Sequence, residues 1–319
     1  MMPPMHPLRG LAALILVVVA MSACSSPSPT HTPRPSPTPT PEVTPDASGN
    51  IPTPTEAPTE TVIAVGDIAT CNAEGDSATA ALIEDLDGTL VTLGDNVYES
   101  GSDQTYAECY DPVYGQFKDR TRPVPGNHDV QGDRGDAYYR YFGDAAGTPG
   151  EGWYSYDLGA WHVIALNSNC DQVECGENSP QWEWLVDDLA AHGNRCTMAY
   201  WHHARFSSGP HGDIHAVEDF WEALDDADAD LVLAGHDHIY ERFAPQTADG
   251  AADPEGLVEI TAGTGGAVHH EADRQAPNSE IAITDAYGVL VLTLHPDGWD
   301  WSFLETDGSE GDAGSGSCH

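Results

Sequence analysis

Short apolar runs separated by polar segments dominate the chain after residue 60, and they predict a series of buried strands. The run at 161–167 follows another at 153–157 across Leu158-Gly159-Ala160, and this spacing indicates a β-hairpin. The predicted strands, in chain order, are 61–65, 89–93, 153–157, 161–167, 196–200, 231–234, 258–262, 289–294 and 299–304.

Apolar residues at helical spacing lie between several of these strands. Asp76 is a candidate N-cap for the first helix, and Ser179 with Pro180 suits the N-cap and first helical position of another. The predicted helices are 77–86, 180–191 and 214–224, with short helices within 103–118. Strands and helices alternate early and strands dominate the end. We therefore predict an α/β domain of two facing mixed β-sheets flanked by helices.

The composition of the two ends differs from that of the middle. Arg9, the apolar run 11–20 and the small residues before Cys24 predict a signal peptide over 1–23. Small residues directly before a cysteine resemble a bacterial lipoprotein cleavage box, so Cys24 would carry lipid; ordinary secretion is the alternative. We expect an exported protein, held at the outer face of the cell membrane or secreted.

Two low-complexity segments flank the predicted domain. Residues 24–60 are rich in Pro, Ser and Thr and predict an extended linker. Residues 307–319 contain mainly Gly, Ser and acidic residues and predict a flexible tail. The intervening residues 61–306 would form one catalytic domain with a single large core.

The chain is strongly acidic. It carries 11 Lys and Arg against 52 Asp and Glu, a formal net charge of −41, and its only lysine is Lys118. Nucleic-acid binding needs clustered cations, so this composition argues against it. Adhesion to anionic lipid is also disfavoured, which leaves lipid at Cys24 as the only expected membrane contact. A protein this acidic needs local cations to accept an anionic ligand, and bound metals can supply them.

Six cysteines remain beyond Cys24, an even number that suggests disulfides in an exported chain. One predicted pair brackets a tight loop, and a second joins cysteines that each follow one of the first two polar clusters described below. The third is left by elimination. In that order the predicted pairs are Cys170–Cys175, Cys71–Cys109 and Cys196–Cys318.

Five short polar clusters carry the candidate chemistry. Four directly follow an apolar or β-rich run, and the third follows Pro123-Val124-Pro125. Ligands bind at the carboxyl ends of strands in open α/β sheets, so five such ends would bring Asp, Asn, His and Tyr donors into one pocket. Mixed oxygen and nitrogen donors without thiolate suit Fe, Mn or Zn rather than Ca. The clusters are Gly66-Asp67, Gly94-Asp95-Asn96-Val97-Tyr98, Gly126-Asn127-His128-Asp129, His202-His203 and Gly235-His236-Asp237-His238.

Each cluster has a simpler interpretation when it is taken alone. Gly-Asp and Gly-Asn commonly form turns, His202 or His203 could be a hydrogen-bonded core histidine, and Tyr98 could be an aromatic lid. Gly-His-Asp-His is more specific, because two imidazoles at positions i and i+2 of an extended segment point the same way. The order and spacing of all five clusters together favour a metal site.

In these clusters the chain resembles the calcineurin-like metallophosphoesterases, and among them most the purple acid phosphatases and their bacterial relatives. Their pattern is Asp, Gly-Asp-x-x-Tyr, Gly-Asn-His-Asp/Glu, a His after a strand and Gly-His-x-His, and the resemblance covers about residues 61–305. The wider superfamily has Asp-x-His at the first cluster, where this chain has Asp67-Ile68-Ala69. Tyr98 stands where the purple acid phosphatases have a tyrosine in place of that histidine.

The resemblance implies a binuclear metal centre bridged by Asp95. One ion, for which carboxylates and a phenolate suit Fe(III), would be held by Asp67, Asp95, Tyr98 and His238. The second ion, as Zn, Mn or Fe(II), would be held by Asp95, Asn127, His202 and His236. Two such cations can clamp a phosphoryl group and activate a water as hydroxide for attack on phosphorus.

The resemblance also implies roles for residues that are not ligands. His128 would protonate the leaving group, and Asp129 would orient His128 or simply cap the turn. His211 lies where the purple acid phosphatases have a substrate-facing histidine, and His203 is a further substrate-binding candidate. Arg205 could bind a phosphate oxygen, with a surface ion pair as the alternative.

A second group of histidines lies outside the clusters. His269 and His270 follow the Gly-rich stretch 262–266, and we count them as further candidates to reach the cleft. A Gly-rich loop alone is weak evidence for phosphate binding, and the lysine of a Walker motif is missing here.

The activity implied first is hydrolysis of phosphate monoesters. A phosphodiesterase acting on cyclic nucleotides or phospholipids is the alternative, because the same metal clamp serves both reactions. A non-catalytic surface-binding protein on this scaffold is disfavoured, because no ligand position is lost.

Overall fold

The structure is a computed structural model that describes residues 58–71, 74–194, 196–272 and 274–319. The predicted signal peptide and nearly all of the predicted linker lie outside these residues. Within the described part of the chain, no helix is both long enough and apolar enough to cross a membrane.

Six strands form the first sheet. Their bounds are β1 (Glu60–Val65), β2 (Thr89–Leu93), β3 (Thr121–Val124), β11 (Gly288–His295), β12 (Gly298–Glu305) and β13 (Glu310–Ser317). Their spatial order is β13-β12-β11-β1-β2-β3. The first three strands are parallel, and β11 pairs antiparallel with β1. The carboxyl ends of β1, β2 and β3 therefore meet at one edge of the sheet.

Seven strands form the second sheet. Their bounds are β4 (Tyr154–Leu158), β5 (Trp161–Ala165), β6 (Cys196–His203), β7 (Leu231–Gly235), β8 (Tyr240–Phe243), β9 (Val258–Ala262) and β10 (Ser279–Ile283). Their spatial order is β10-β8-β9-β7-β6-β5-β4. Strands β5, β6, β7 and β9 are parallel, and the remaining strands pair antiparallel.

Helices connect the strands. Their bounds are α1 (Gly75–Glu84), α2 (Asp103–Thr105), α3 (Asp111–Tyr114), α4 (Asn127–Val130), α5 (Asp136–Phe142), α6 (Pro180–Ala191) and α7 (Glu218–Asp225). A π-helical turn over Tyr106–Tyr110 and 3₁₀ turns over Gly115–Arg120, Gly143–Ala146 and His215–Val217 extend four of them. Helix α6 begins as predicted, since the Ser179 hydroxyl accepts a hydrogen bond from the backbone N–H of Trp182.

The alternation of side chains along the strands divides the core into layers. In β1, Val62 and Ala64 belong to the apolar cluster between the two sheets, together with Met198 of β6. Ile63 and Val65 point to the other face and pack in the cluster that includes the helical segment after β2. Helices α6 and α7 cover the second sheet in the same way. The prediction of two facing mixed sheets flanked by helices is confirmed.

Four strands are missing from the sequence prediction. Strands β3, β8 and β10 are only four or five residues long, and their Pro or charged residues weaken the apolar signal. Strand β8, for example, reads Tyr-Glu-Arg-Phe, and its Glu241 is nevertheless fully buried. Pairing with neighbouring strands, which a single segment does not reveal, stabilises these short strands.

The prediction of a flexible tail over 307–319 is wrong. Residues 310–317 form β13, which pairs antiparallel with β12 at the edge of the first sheet. Cβ atoms at Gly314 and Gly316 would lie 2.3 Å from the rings of Trp301 and Trp299, so the glycines make room for these two indoles. Aromatic residues that cover glycines on a neighbouring strand support such edges. The composition suggested flexibility because it shows the glycines without their tryptophan partners.

The three predicted disulfides are confirmed. Cys170–Cys175 closes a short loop, and Cys71–Cys109 joins the segments that follow β1 and β2. Cys196–Cys318 attaches the end of the chain to the start of β6 across 122 residues of sequence. Three disulfides are typical of a protein that folds in an oxidising compartment.

Candidate metal centre

The five polar clusters come together where the two sheets meet. Asp67 follows β1, Asp95 follows β2, and Asn127 begins the short helix after β3. His202 lies at the end of β6 and His236 directly after β7 in the second sheet. Hydrogen bonds cross between the sheets here, because His202 Nδ1 lies 2.8 Å from the Leu93 carbonyl and the His236 N–H donates to Asp67 Oδ2 at 2.8 Å.

The backbone turns sharply at these strand ends. Asp67, Asp95 and His236 have φ values of 60°, 48° and 72°, in the left-handed region that non-glycine residues seldom adopt. A Cβ at Gly94 would lie 2.6 Å from His202 Nδ1, and one at Gly126 would lie 2.1 Å from the Asp95 nitrogen. The glycines of the clusters therefore permit the close approach of the ligand loops, and the strained residues fall at the site, as is common for functional sites.

One half of the centre contains Asp67, Tyr98 and His238. The Tyr98 hydroxyl donates to Asp67 Oδ1 at 2.7 Å and lies 3.1 Å from Asp95 Oδ2 and from His238 Nε2. His238 Nε2 lies 3.3 Å from Asp67 Oδ1. Both carboxylates are almost fully buried. Three oxygens and one imidazole nitrogen thus converge on one point.

The other half contains Asp95, Asn127, His202 and His236. His202 Nε2 lies 3.3 Å from Asp95 Oδ2, 3.1 Å from Asn127 Oδ1 and 3.2 Å from His236 Nδ1. Asp95 Oδ2 takes part in both halves, which is the arrangement expected of a bridging carboxylate. Every ligand position named from the sequence is present in one of the two halves.

The hydrogen-bond pattern of these groups suits a cation. His202 Nδ1 faces a backbone carbonyl and so carries a hydrogen there, which leaves Nε2 with at most one hydrogen to share among Asp95, Asn127 and His236. His238 repeats the pattern, with Nδ1 2.7 Å from the Val268 carbonyl. Several acceptors then face one another with too few hydrogens between them. A metal ion would resolve this opposition, and a carbonyl behind the imidazole is a usual outer support for a histidine that binds metal.

The charges of the free protein also suit metal binding. Burial opposes ionisation of Asp67, but His238, His202 and the Tyr98 hydroxyl lower its pKa to about 2. Burial likewise opposes protonation of His202, but Asp95 and Asp67 raise its pKa to about 9. Burial and the neighbouring histidines lower the pKa of His236 far below its ordinary value. A cation would replace the proton that His202 holds between two carboxylates.

His128 lies beside the centre and is not one of the converging groups. Its Nδ1 lies 2.6 Å from the Glu99 carbonyl, and its ring packs against Tyr98 at a centroid distance of 4.5 Å. Its Nε2 lies 4.0 Å from Asp95 Oδ2, and 27% of the side chain is exposed. The imidazole is therefore held by one nitrogen, and the other remains open to the cleft.

Asp129 does not contact the His128 side chain, and the prediction that it orients His128 is wrong. The fully buried carboxylate accepts hydrogen bonds from the N–H groups of Gly126 and Asn96 and from the Tyr106 hydroxyl. Burial and the nearby Asp95 charge raise the pKa of Asp129 to about 6. Asp129 closes the turn and joins two ligand loops, which was the alternative considered from the sequence.

His203 and His211 both lie near the metal ligands. His203 Nδ1 lies 2.8 Å from the Ser168 hydroxyl, and its ring is 4.5 Å from that of His236. Burial and the charge of His202 lower the pKa of His203 to about 3, so its imidazole is neutral. The exposed His211 ring stacks on His236 at a centroid distance of 4.0 Å. Both residues lie beside the converging groups, and their substrate-facing roles stay predictions.

Arg205 points away from the cleft, and the prediction of a phosphate-binding arginine is wrong. Its side chain is 2% exposed, donates from Nη2 to the Ala248 carbonyl at 2.6 Å, and pairs with Glu218 at 3.3 Å. The backbone turns after β6, so the residue three positions past His202 packs beneath the loop. The buried Glu259 carboxylate accepts the backbone N–H groups of Arg205 and Phe206, which fixes this turn.

A family model for calcineurin-like phosphoesterases matches residues 60–240, which is more than half of the chain. The chain belongs to the calcineurin-like phosphoesterase family. The match spans β1 to the start of β8, so it includes all five polar clusters, and the predicted resemblance is confirmed.

Individual relatives are purple acid phosphatases. Probable purple acid phosphatase 20 of Arabidopsis thaliana is 27% identical over 245 residues, covering 66% of this chain and 56% of its own length. Mouse (Mus musculus) acid phosphatase type 7 is 27% identical over 220 residues, covering 56% of this chain and 48% of its own length. The chain spans about half the length of the curated relatives it matches.

Solved structures support the same fold. Purple acid phosphatase PPD1 from yellow lupin (Lupinus luteus) seeds aligns with a TM-score of 0.71 at 19% identity, over 83% of this chain and 55% of that one. The structure of PhoD aligns with a TM-score of 0.55 at 12% identity, over 82% of this chain and 69% of that one.

Several supporting residues of this family member were not singled out from the sequence. Ser168 accepts the N–H groups of His202 and His203, which fixes the end of β6. Asp237 lies between the ligands His236 and His238, is buried, and accepts the N–H of His211 at 3.2 Å. Its place inside the fifth cluster, between two predicted ligands, was a usable signal.

Proposed function

We propose that this protein hydrolyses phosphate monoesters at a binuclear metal centre. The observation that carries the proposal is the convergence of buried oxygen and imidazole acceptors around Asp95 Oδ2, with too few hydrogens to satisfy them. The first ion would be held by Asp67, Asp95, Tyr98 and His238. The second would be held by Asp95, Asn127, His202 and His236.

Two metal ions held by these residues would supply functions that the side chains lack, namely charge to neutralise the phosphoryl oxygens and a lowered pKa for a water nucleophile. Asp67 and Asp95 place carboxyl oxygens in a buried position, where a bound cation would satisfy them. In a chain with a net charge of −41, this local positive charge is what admits an anionic substrate.

His128 would protonate the leaving oxygen of the ester. Its Nδ1 is held by the Glu99 carbonyl, so Nε2 is the nitrogen that faces the cleft. An imidazole suits this step because its ordinary pKa lies near neutrality. His203 and His211 would donate hydrogen bonds to the phosphate oxygens from the second sheet.

Tyr98 supports iron as one of the metals. Its hydroxyl already bridges Asp67 and Asp95, and burial with these two carboxylates raises its pKa well above the ordinary value. Only a strongly charged cation would favour the phenolate there, which points to Fe(III) in the first position, with Zn, Mn or Fe(II) in the second.

Export is the proposed setting for this activity. The three disulfides fit an oxidising compartment, and the predicted lipid anchor at Cys24 stays a prediction. Replacement of Cys24 by Ser in the full chain should move the protein from the membrane fraction to the soluble exported fraction. An unchanged membrane fraction would refute the anchor.

Metal removal and return tests the proposed function. The full chain is stripped with a chelator and reconstituted with Fe and Zn or with Mn, and p-nitrophenyl phosphate hydrolysis is followed. Activity should return as the metal content approaches two ions per chain. Asp95→Asn should stay inactive, and Asp300→Asn, which alters an exposed acid paired with His295, should match wild type. Full activity of the metal-free protein would refute the proposal.

A further inference from the structure

We propose that His270, which lies outside all five clusters, is a further substrate-contacting residue that donates a hydrogen bond from Nε2 to the phosphate group. The inference rests on the proposed function, because it concerns how the same site holds its anion. It identifies a contact on the Tyr98 side of the centre, whereas His203 and His211 lie near His236.

Two metal ligands are each covered by another imidazole. The His211 ring stacks on His236 at a centroid distance of 4.0 Å, and the His270 ring stacks on His238 at 3.9 Å with an angle of 11°. The two outer rings are 5.3 Å apart. His211 and His270 therefore form an adjacent pair, one beside each ligand of the fifth cluster.

The backbone of His238 holds His270 in place. The His270 N–H donates to the His238 carbonyl at 3.1 Å, and the His238 N–H donates to His270 Nδ1 at 3.1 Å. Asp237 Oδ1 lies 3.3 Å from the same Nδ1. A histidine held by two hydrogen bonds to a ligand-bearing segment is more rigid than an ordinary loop residue, so its ring can bind an anion without a large loss of side-chain freedom.

The contact with His238 also decides which ring nitrogen is available. The His238 backbone N–H can only donate and has Nδ1 as its partner, whereas Asp237 Oδ1 already accepts the His211 N–H. We therefore assign Nδ1 as the acceptor, which places the ring hydrogen on Nε2. Nε2 has no hydrogen-bond partner among the residues that the structure describes, and 22% of the side chain is exposed. His270 thus presents an unused donor.

The direction of Nε2 follows from the stacking. The His238 ring extends from its backbone toward Asp67 and Tyr98. His270 Nδ1 is held at that same backbone, and its ring lies nearly parallel to His238. The opposite side of the His270 ring, which carries Nε2, therefore extends along His238 toward the centre.

Two substitutions separate the Nε2 donor from the bulk of the ring. His270→Gln places an amide N–H near the position of Nε2, whereas His270→Asn places it near Nδ1 and leaves the cleft without a donor. Binding of inorganic phosphate to the metal-loaded full chain is measured by calorimetry, with metal content by mass spectrometry. The matched control is His295→Asn, because His295 lies on β11 and pairs with the exposed Asp300.

We expect His270→Asn to weaken phosphate binding by about tenfold or more, as loss of one hydrogen bond to an anion does. His270→Gln and His295→Asn should stay within about threefold of wild type, and all four proteins should hold the same metal content. Wild-type affinity in His270→Asn would overturn the inference, as would equal weakening in both His270 variants or loss of metal. If wild type binds phosphate with this His270 dependence but turns over no ester, the proposed function fails and the contact stands.

Discussion

The Tyr106 hydroxyl donates a hydrogen bond to the Asp129 carboxylate over 2.6 Å, although the two residues belong to different ligand loops. Tyr106 follows the Asp95 loop, and Asp129 closes the turn that presents Asn127 and His128. The same carboxylate accepts the Gly126 N–H at 2.8 Å. The buried Asp129 carboxylate thus fixes the distance between the loop that carries Asp95 and the loop that carries His128, the proposed proton donor.

Asp129→Asn tests this structural role. An amide supplies only one acceptor oxygen to a group of buried donors, so unfolding free energy should fall by about 2–4 kcal/mol. Turnover should fall with the loss of loop geometry. Urea denaturation and kcat are measured on the same preparation. Loss of turnover at unchanged stability would instead assign Asp129 a direct part in the reaction.

His128→Asn tests the proposed proton donor. Removal of a general acid typically lowers kcat by about 10²–10⁴-fold, and the metal content should not change because His128 is not among the converging ligands. His215→Asn, which alters a largely exposed histidine, is the control and should match wild type. If metal content and kcat fell together, His128 would be a ligand.

Tyr98→Phe tests the iron assignment. A Tyr98 phenolate bound to Fe(III) absorbs in the visible range, so the iron-loaded protein should be coloured and the variant should lose the band. Tyr141→Phe removes a phenol that bonds to Asp111 away from the centre, and it should leave the spectrum unchanged. A colourless wild type that is fully active with Mn or Zn alone would contradict the iron assignment.

A histidine in β5, near one edge of the second sheet, should make the stability of the protein depend on pH. His162 lies between two carboxylates, with Nδ1 3.0 Å from Asp157 and Nε2 2.7 Å from Asp188. Burial opposes protonation, but Asp188 and Asp157 together raise the pKa of His162 above its ordinary value. Burial also opposes ionisation of Asp188, but His162 and Ser155 lower the pKa of that carboxyl.

The sign of the effect follows from these directions. A raised folded pKa for His162 gives stabilisation that is complete below the unfolded pKa of about 6.5 and is lost as pH rises through the folded value. The lowered pKa of Asp188 gives stabilisation that is lost in acid. Relative to wild type, His162→Asn should lower the free energy of unfolding by about 1–2 kcal/mol near pH 5.5–6, and this difference should shrink toward pH 9. A deficit that does not change between these pH values would contradict the ion pair.

Removal of the long-span and the short-span disulfide should lower the free energy of unfolding by different amounts. The Cys196–Cys318 bond closes a span of 122 residues, whereas Cys170–Cys175 closes a span of 5. Loop-closure entropy assigns about 5 kcal/mol to the long span and about 2 kcal/mol to the short one. Denaturation of the paired Cys→Ser double variants compares them. Equal losses would show that native contacts, and not chain entropy, dominate.

Much of the fold follows from local sequence. The strand 258–262 and the helix 180–191 have the predicted bounds, because a continuous apolar run and a Ser-Pro start are strong local signals. Strand β13 could not be predicted in this way, since its glycines are stabilised by Trp299 and Trp301 on a neighbouring strand. That support depends on pairing, which is a property of the folded sheet.

The convergence of the predicted metal ligands could be foreseen for a related reason. Each polar cluster lies at or just after the end of a strand, and parallel strands end at the same edge, so sequence position nearly determines spatial position. Side-chain direction past a strand end is not determined in that way. Arg205 packs under its loop and Asp129 turns into the protein because their partners, Ala248 and Tyr106, come from other parts of the chain.

The most direct test of the central claim compares two esters on the metal-loaded full chain. Initial rates are measured for p-nitrophenyl phosphate and bis-p-nitrophenyl phosphate, with Asp95→Asn as the blank. A higher kcat/KM for the monoester, lost in Asp95→Asn, is the result that a monoesterase at this centre predicts. A higher kcat/KM for the diester would contradict the monoesterase assignment, and no turnover of either ester would contradict the proposed function altogether.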